Sequence, residues 1–122
     1  MGKEIDERAF RLALRVVTLR TDDEYRRAAR WTIVGQLIRA STSVGANLAE
    51  ASVAQTKRDF VTKVSISRKE ILETQYWLRL ADETRLFGEL DLTELRSEAA
   101  SVGKVLSTIV RRAKASEGRG RD

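Results

Sequence analysis

No proline interrupts this chain of 122 residues. Inside a helix, proline removes a backbone donor and clashes with the preceding turn. A chain without any can therefore form long unbroken helices, and the apolar residues recur at helical spacing. A first helix is predicted from about Lys3 to Arg20, with Ile5, Ala9, Leu12, Val16 and Leu19 as its core stripe. After the turn Thr21 to Glu24, a second runs from about Glu24 to Ala54, with Val34, Leu37, Ile38, Val44 and Leu48 as apolar positions. A third runs from about Lys57 to Thr84, opened by a Thr56–Asp59 pair that resembles a capping box, with Phe60, Val64, Ser67, Ile71 and Leu78 facing inward. Gly88 breaks the chain. A fourth helix follows Asp91, which can cap it, and carries Leu92, Leu95, Ala99, Val102, Leu106, Ile109 and Ala113. Short connections between long helices favour antiparallel neighbours. The expected fold is all-α, an antiparallel up-down-up-down four-helix bundle over residues 1–115, with a flexible basic C-terminal tail over 116–122.

The stretch ASTSVGANLAEA, Ala40 to Ala51, is unusual for a helix interior, being rich in small and polar residues. If the second and third helices form a hairpin pivoting near Ala54 and Gln55, Ser41 lies level with Ser67 and Trp31 with Trp77. Arg39 then reaches Glu70 or Glu73, and Glu50 lies near the start of the third helix. A close helix crossing with a satisfied polar seam explains the stretch. On that reading Gly45 sits at the crossing, because a helical glycine costs about 1 kcal/mol relative to alanine and close packing offsets it.

Missing residue types restrict the chemistry. Without histidine or cysteine, the common zinc sites, a cysteine nucleophile and a Ser-His-Asp triad are all excluded. No catalytic residue, metal or cofactor is assigned; Glu50, Glu70 and Glu73 are what an enzymatic reading would have to use. No run of about 18 uncharged apolar residues is present to span a membrane. The first ten residues lack an apolar signal core, so a cytoplasmic location is expected.

STSVGANLAEA followed by KRDFVTKVSISRKEILETQYWLRL resembles the four-helix bundle proteins encoded in intervening sequences of bacterial 23S rRNA genes. The resemblance rests on Ser43, Val44, Asn47, Leu48, Ala49, Glu50, Arg58, Asp59, Phe60, Glu73, Trp77 and Leu78. Ala51 departs from it, since many relatives have glycine there. The chain is also similar to the accessory variability determinant proteins of diversity-generating retroelements. These resemblances imply a bundle that assembles into a homopentamer, with RNA or DNA and a reverse transcriptase as partners. They point to an assembly or binding protein, and they make Ser43, Gly45, Asn47, Glu50, Phe60, Glu73 and Trp77 a structural motif.

Two features of the residues themselves bear on that expectation. Phe10, Leu14 and Val17 lie well around the first helix from Ile5 and Leu12, and Ile66, Trp77 and Leu80 lie off the core face of the third. A single bundle buries one stripe per helix, so Phe10, Leu14 and Val17 are the candidate oligomer interface. Lysine and arginine number 23 against 18 acidic residues, a net charge of +5. Three cationic clusters are the candidate nucleic-acid contacts: Arg8, Arg11 and Arg15; Arg26, Arg27 and Arg30; and Arg111, Arg112 and Lys114, with Arg119 and Arg121 beyond. Glu4–Arg8 and Glu7–Arg11 have the i, i+4 spacing of surface ion pairs. No recognised nucleic-acid-binding motif accompanies the clusters, so binding would be to phosphate and salt-sensitive.

Overall fold

The computed structural model describes residues 2–119. Its elements are four helices: α1 (Lys3–Val17), α2 (Asp23–Ala51), α3 (Lys57–Glu83) and α4 (Thr93–Arg119). Caps fix three of the starts. Asp22 accepts a hydrogen bond from the Tyr25 amide and Thr56 from the Asp59 amide. Asp91 accepts from the Thr93 amide at 2.9 Å, and the Thr93 hydroxyl and amide hold its carboxyl below its ordinary pKa. The turn after α3 uses two left-handed residues, Arg85 (φ 53°) and Gly88 (φ 68°). Gly88 adopts this conformation readily, whereas Arg85 does so against the preference of a side-chain-bearing residue.

The result is an all-α four-helix bundle. Pairs Arg39–Glu70, Val44–Ser67 and Glu50–Lys63 run in opposite order along α2 and α3, so the two helices are antiparallel. Arg68–Ser107, Gln75–Ala99 and Asp82–Arg96 show the same for α3 and α4. Val44, Ala51, Val64, Ile71, Leu78, Ala99, Leu106 and Val110 form the core of these three helices, with Leu37, Leu48, Phe60, Val102 and Ile109 packed around it. α4 continues as helix through Arg119, into the stretch expected to be tail; Gly120, Arg121 and Asp122 lie outside the described residues.

α1 is the exception. α2 and α4 pack along the length of α3, while α1 touches α3 at far fewer positions. That meeting centres on Phe10, which is 2% exposed and packs with Ile33, Leu80, Ala81, Leu86 and Leu92. Ala13, Leu14, Val17, Tyr76 and Trp77 complete the cluster. The Phe10 ring meets Tyr76 edge-on, with ring centroids 5.7 Å apart. Its face carries the Arg79 guanidinium 3.6 Å from the centroid, a cation–π interaction.

This overturns the predicted orientation of α1. Phe10, Leu14 and Val17, expected to meet another copy, are the residues that seat α1 on its own chain. Ile5, Leu12, Val16 and Leu19, expected in the core, are exposed. Both stripes recur at helical spacing, and the aromatic ring decides between them, because its large area finds a cavity beside Tyr76 and Leu80. Leu80 and Trp77, read as an outer face of α3, are the seat that receives it.

The expected Glu7–Arg11 pair is also replaced. Arg79 donates to both carboxylate oxygens of Glu7 at 2.7 Å, and to Glu83 at 2.8 Å. The Arg79 hydrogen bond holds the Glu7 carboxyl below its ordinary value. A carboxylate with a lowered folded-state pKa stabilises fully above its unfolded pKa, and the effect is lost as pH falls through the folded value. Glu7→Gln is therefore expected to lower the melting midpoint at pH 7 and to narrow the wild-type difference between pH 6 and pH 3. Identical wild-type and variant midpoints across that range would show that the pair does not couple α1 to the body.

Candidate nucleic-acid interface

The small-residue stretch of α2 contains one close crossing, and it is not at Gly45. Ala40 and Ser67 are fully buried, and the Ser67 hydroxyl donates to the Val44 carbonyl at 2.7 Å. Here the backbones of α2 and α3 approach. A Cβ built on Gly45 or Gly35 would have nothing within 4 Å, whereas one on Gly103 would meet the Gln75 amide at 2.6 Å. Gly45 faces outward, so the expectation that it sits at the crossing is wrong. It lies one residue from Val44, and one residue turns a helical side chain by about 100°.

The polar seam beside the crossing is as expected. Arg39 lies between Glu70, at 3.1 Å, and Glu73. Glu50 pairs with Lys63 at 3.0 Å, not with the first residues of α3. Asn47 donates to the Ser43 carbonyl and hydroxyl at 2.9 and 3.0 Å. Phe60 packs against the core, and Trp77 is half-buried with its indole N–H unpartnered. Each motif carboxylate thus has a cation beside it, and the seam fixes the register of α2 on α3.

The three cationic clusters separate on structural grounds. Arg8, Arg11 and Arg15 are exposed along one side of α1, with no ion pair among the described residues. In the second cluster, Arg26 donates to the carbonyls of Thr84 and Arg85 at 3.4 and 3.2 Å. Arg30 donates to the Leu86 carbonyl at 3.0 Å. These two guanidiniums satisfy carbonyls at the C-terminal end of α3, where cations are favoured. Arg27 is exposed and makes no such bond.

Arg111, Arg112 and Lys114 are exposed on the last turns of α4. Arg119 is the last residue of α4, and Arg121 lies outside the described residues. Lys57 Nζ meets Ser116 Oγ, so the start of α3 lies beside the end of α4. This adds Lys57, with Arg58 next to it, to the third cluster. Sequence reasoning passed over these two because they read as the ordinary opening of a helix. Their position matters electrostatically: the N-terminus of α3 is already positive, and cations there are unfavourable unless an anion is near. The second and third clusters lie at opposite ends of α3, about 40 Å apart by helical rise, and do not form one patch.

The fold and this surface define a small helical-bundle protein with exposed cations along α1, at Arg27 and on the last turns of α4. The model of the 23S rRNA-intervening sequence protein family matches residues 3–108, and the chain belongs to that family. Neither the curated proteins nor the solved structures gave a match. No helix among the described residues is long and apolar enough to cross a membrane.

Proposed function

We propose that this protein is a non-enzymatic, cytoplasmic homo-oligomer that binds RNA or DNA through phosphate contacts. The family resemblance favours a pentamer. The observation that carries the nucleic-acid reading is the end of the bundle where Arg111, Arg112 and Lys114 of α4 meet the positive N-terminus of α3 with Lys57 and Arg58. Arg8, Arg11, Arg15 and Arg27 offer further phosphate ligands. Arg26 and Arg30 contribute charge from a fixed position, because their donors are engaged by α3 carbonyls. That engagement favours one second reading, an oligomer that binds a protein partner and no nucleic acid. In the retroelement form of the proposal the partner is a reverse transcriptase. A gene lying beside a reverse transcriptase, template and variable repeats supports that form, and a gene inside an rRNA gene supports the intervening-sequence form.

Affinity measured against salt tests the proposal. Each neutralised phosphate adds about 0.9 to the slope of log affinity against log salt on duplex DNA. Replacing Arg111, Arg112 and Lys114 by glutamine is expected to flatten the slope by about 0.9 for each phosphate no longer neutralised, with little sequence preference. Arg27→Gln flattens it alone, whereas Arg26→Gln and Arg30→Gln also lower the melting point. Wild-type protein with no salt-dependent binding to duplex or single strands at low salt would leave the partner-binding reading.

A further inference from the structure

The chain has two tryptophans, and the fold places them oppositely. Trp77 is half-buried and meets Tyr76 edge-on, with ring centroids 5.3 Å apart. Trp31 is 84% exposed on the outer side of α2. Tryptophan is highly buried on average, and an indole left in water offers a partner a large flat apolar face with a polar edge.

The surroundings of Trp31 narrow the partner. Arg27, Arg30, Trp31, Val34, Gly35 and Ile38, all of α2, line a shallow apolar groove. Gly35 lies one turn beyond Trp31, and a Cβ built there would have nothing within 4 Å. The groove is therefore open between the indole and Ile38, two turns on. Arg27 lies one turn before Trp31, about 6 Å away by helical rise. It is exposed and makes no ion pair among the described residues. The Arg30 Nε donates to the Leu86 carbonyl at 3.0 Å, which holds that guanidinium at the edge of the groove. From Tyr25 to Ala49, α2 carries no carboxylate, so nothing on this helix face offsets the two cations.

We propose that this groove takes an unpaired base of single-stranded RNA or DNA, stacked on the Trp31 indole, with the adjoining phosphate on Arg27 and Arg30. This rests on the nucleic-acid reading above and adds the form of the substrate to it. Charge and shape together favour a nucleotide. An aliphatic protein segment would match Val34 and Ile38 but would leave two guanidiniums against apolar side chains. A nucleotide supplies both halves, a flat π-face for the indole and an anion for the arginines one turn away. In a duplex the bases already stack on one another, so the indole reaches no base face and only the phosphates are bound. Stacking on an aromatic side chain tolerates any sequence, because every base has a π-face.

Affinities for oligothymidylate, oligouridylate, an abasic strand and a duplex, all of one length, test the proposal. Wild-type protein is expected to bind a base-bearing single strand about 5- to 150-fold more tightly than the abasic strand, the contribution of one stacked base. Comparing oligothymidylate with oligouridylate separates DNA from RNA. Trp31→Ala should remove the advantage while leaving abasic-strand affinity and the salt slope unchanged, and Trp31→Phe should keep part of it. Oligothymidylate should quench the indole fluorescence of the wild type but not that of Trp31→Phe, since Trp77 is seated against Tyr76. Equal wild-type affinity for base-bearing and abasic strands, or an advantage that persists in Trp31→Ala, overturns the stacking while the phosphate reading stands. No salt-dependent binding to any of the four probes defeats both. The wild-type comparison requires no variant to fold.

Discussion

Phe10→Ala is expected to unseat α1 while α2, α3 and α4 stay folded. Removing a buried phenylalanine side chain costs about 3–5 kcal/mol, and Phe10 is the one fully buried residue of α1. The Tyr76 edge and the Arg79 guanidinium both lose their partner when the ring goes. What then remains to hold α1 is the partly buried Ala13, Leu14 and Val17 and the Glu7–Arg79 pair, since its outer stripe faces away from the bundle. Limited proteolysis should cut residues 3–22 far faster in the variant, with the α2–α4 fragment persisting. A wild-type melting point with α1 equally protected would mean that α1 is held mainly by other residues.

Ser67→Leu should be comparably damaging at the other core. Ser67 is fully buried where α2 and α3 come closest, and its hydroxyl is bonded to the Val44 carbonyl. A leucine there adds three carbons to a site without room, and overpacking costs about 1–3 kcal/mol. The missing hydrogen bond adds about 1 kcal/mol. Gly45→Ala is the control, since an added Cβ touches nothing and helix propensity alone favours alanine by up to about 1 kcal/mol. Urea unfolding of both variants checks the pair of outcomes. A stable Ser67→Leu protein would show that the crossing can open, and a destabilised Gly45→Ala protein would show that Gly45 is covered.

The long helices and their order were legible in the sequence because caps, glycine and apolar spacing agree there. Thr56, Asp91 and Gly88 mark boundaries by local chemistry, which needs no knowledge of the rest of the fold. The α2–α3 register was legible to within about a turn: the Arg39–Glu70 pairing follows from the position of the turn, but Ser67 meets Val44 where Ser41 was expected, and Glu50 meets Lys63. The orientation of α1 was not. Its two apolar stripes have the same spacing, and only the shape of the Tyr76 and Leu80 surface selects Phe10. Gly45 misled for a related reason: small residues occur on both the crossing face of α2 and its outer face, and composition does not separate them. Of the cationic clusters, the sequence showed the charges but not their employment. Arg26 and Arg30 bond carbonyls nearly 60 residues further along the chain, and Lys57 reaches the end of α4 only through the fold.

The seat of α1 also sets a waiting time during synthesis. Phe10 docks on Tyr76, Leu80 and Leu86, so α1 leaves the ribosome long before its seat is made. At about 5–20 residues per second, the delay is several seconds. Throughout it the nascent segment bears its apolar residues uncovered, Phe10, Leu14 and Val17 together with Ile5, Leu12 and Val16. Neighbouring nascent chains on one message would meet at this segment first, before any of them has a bundle to close.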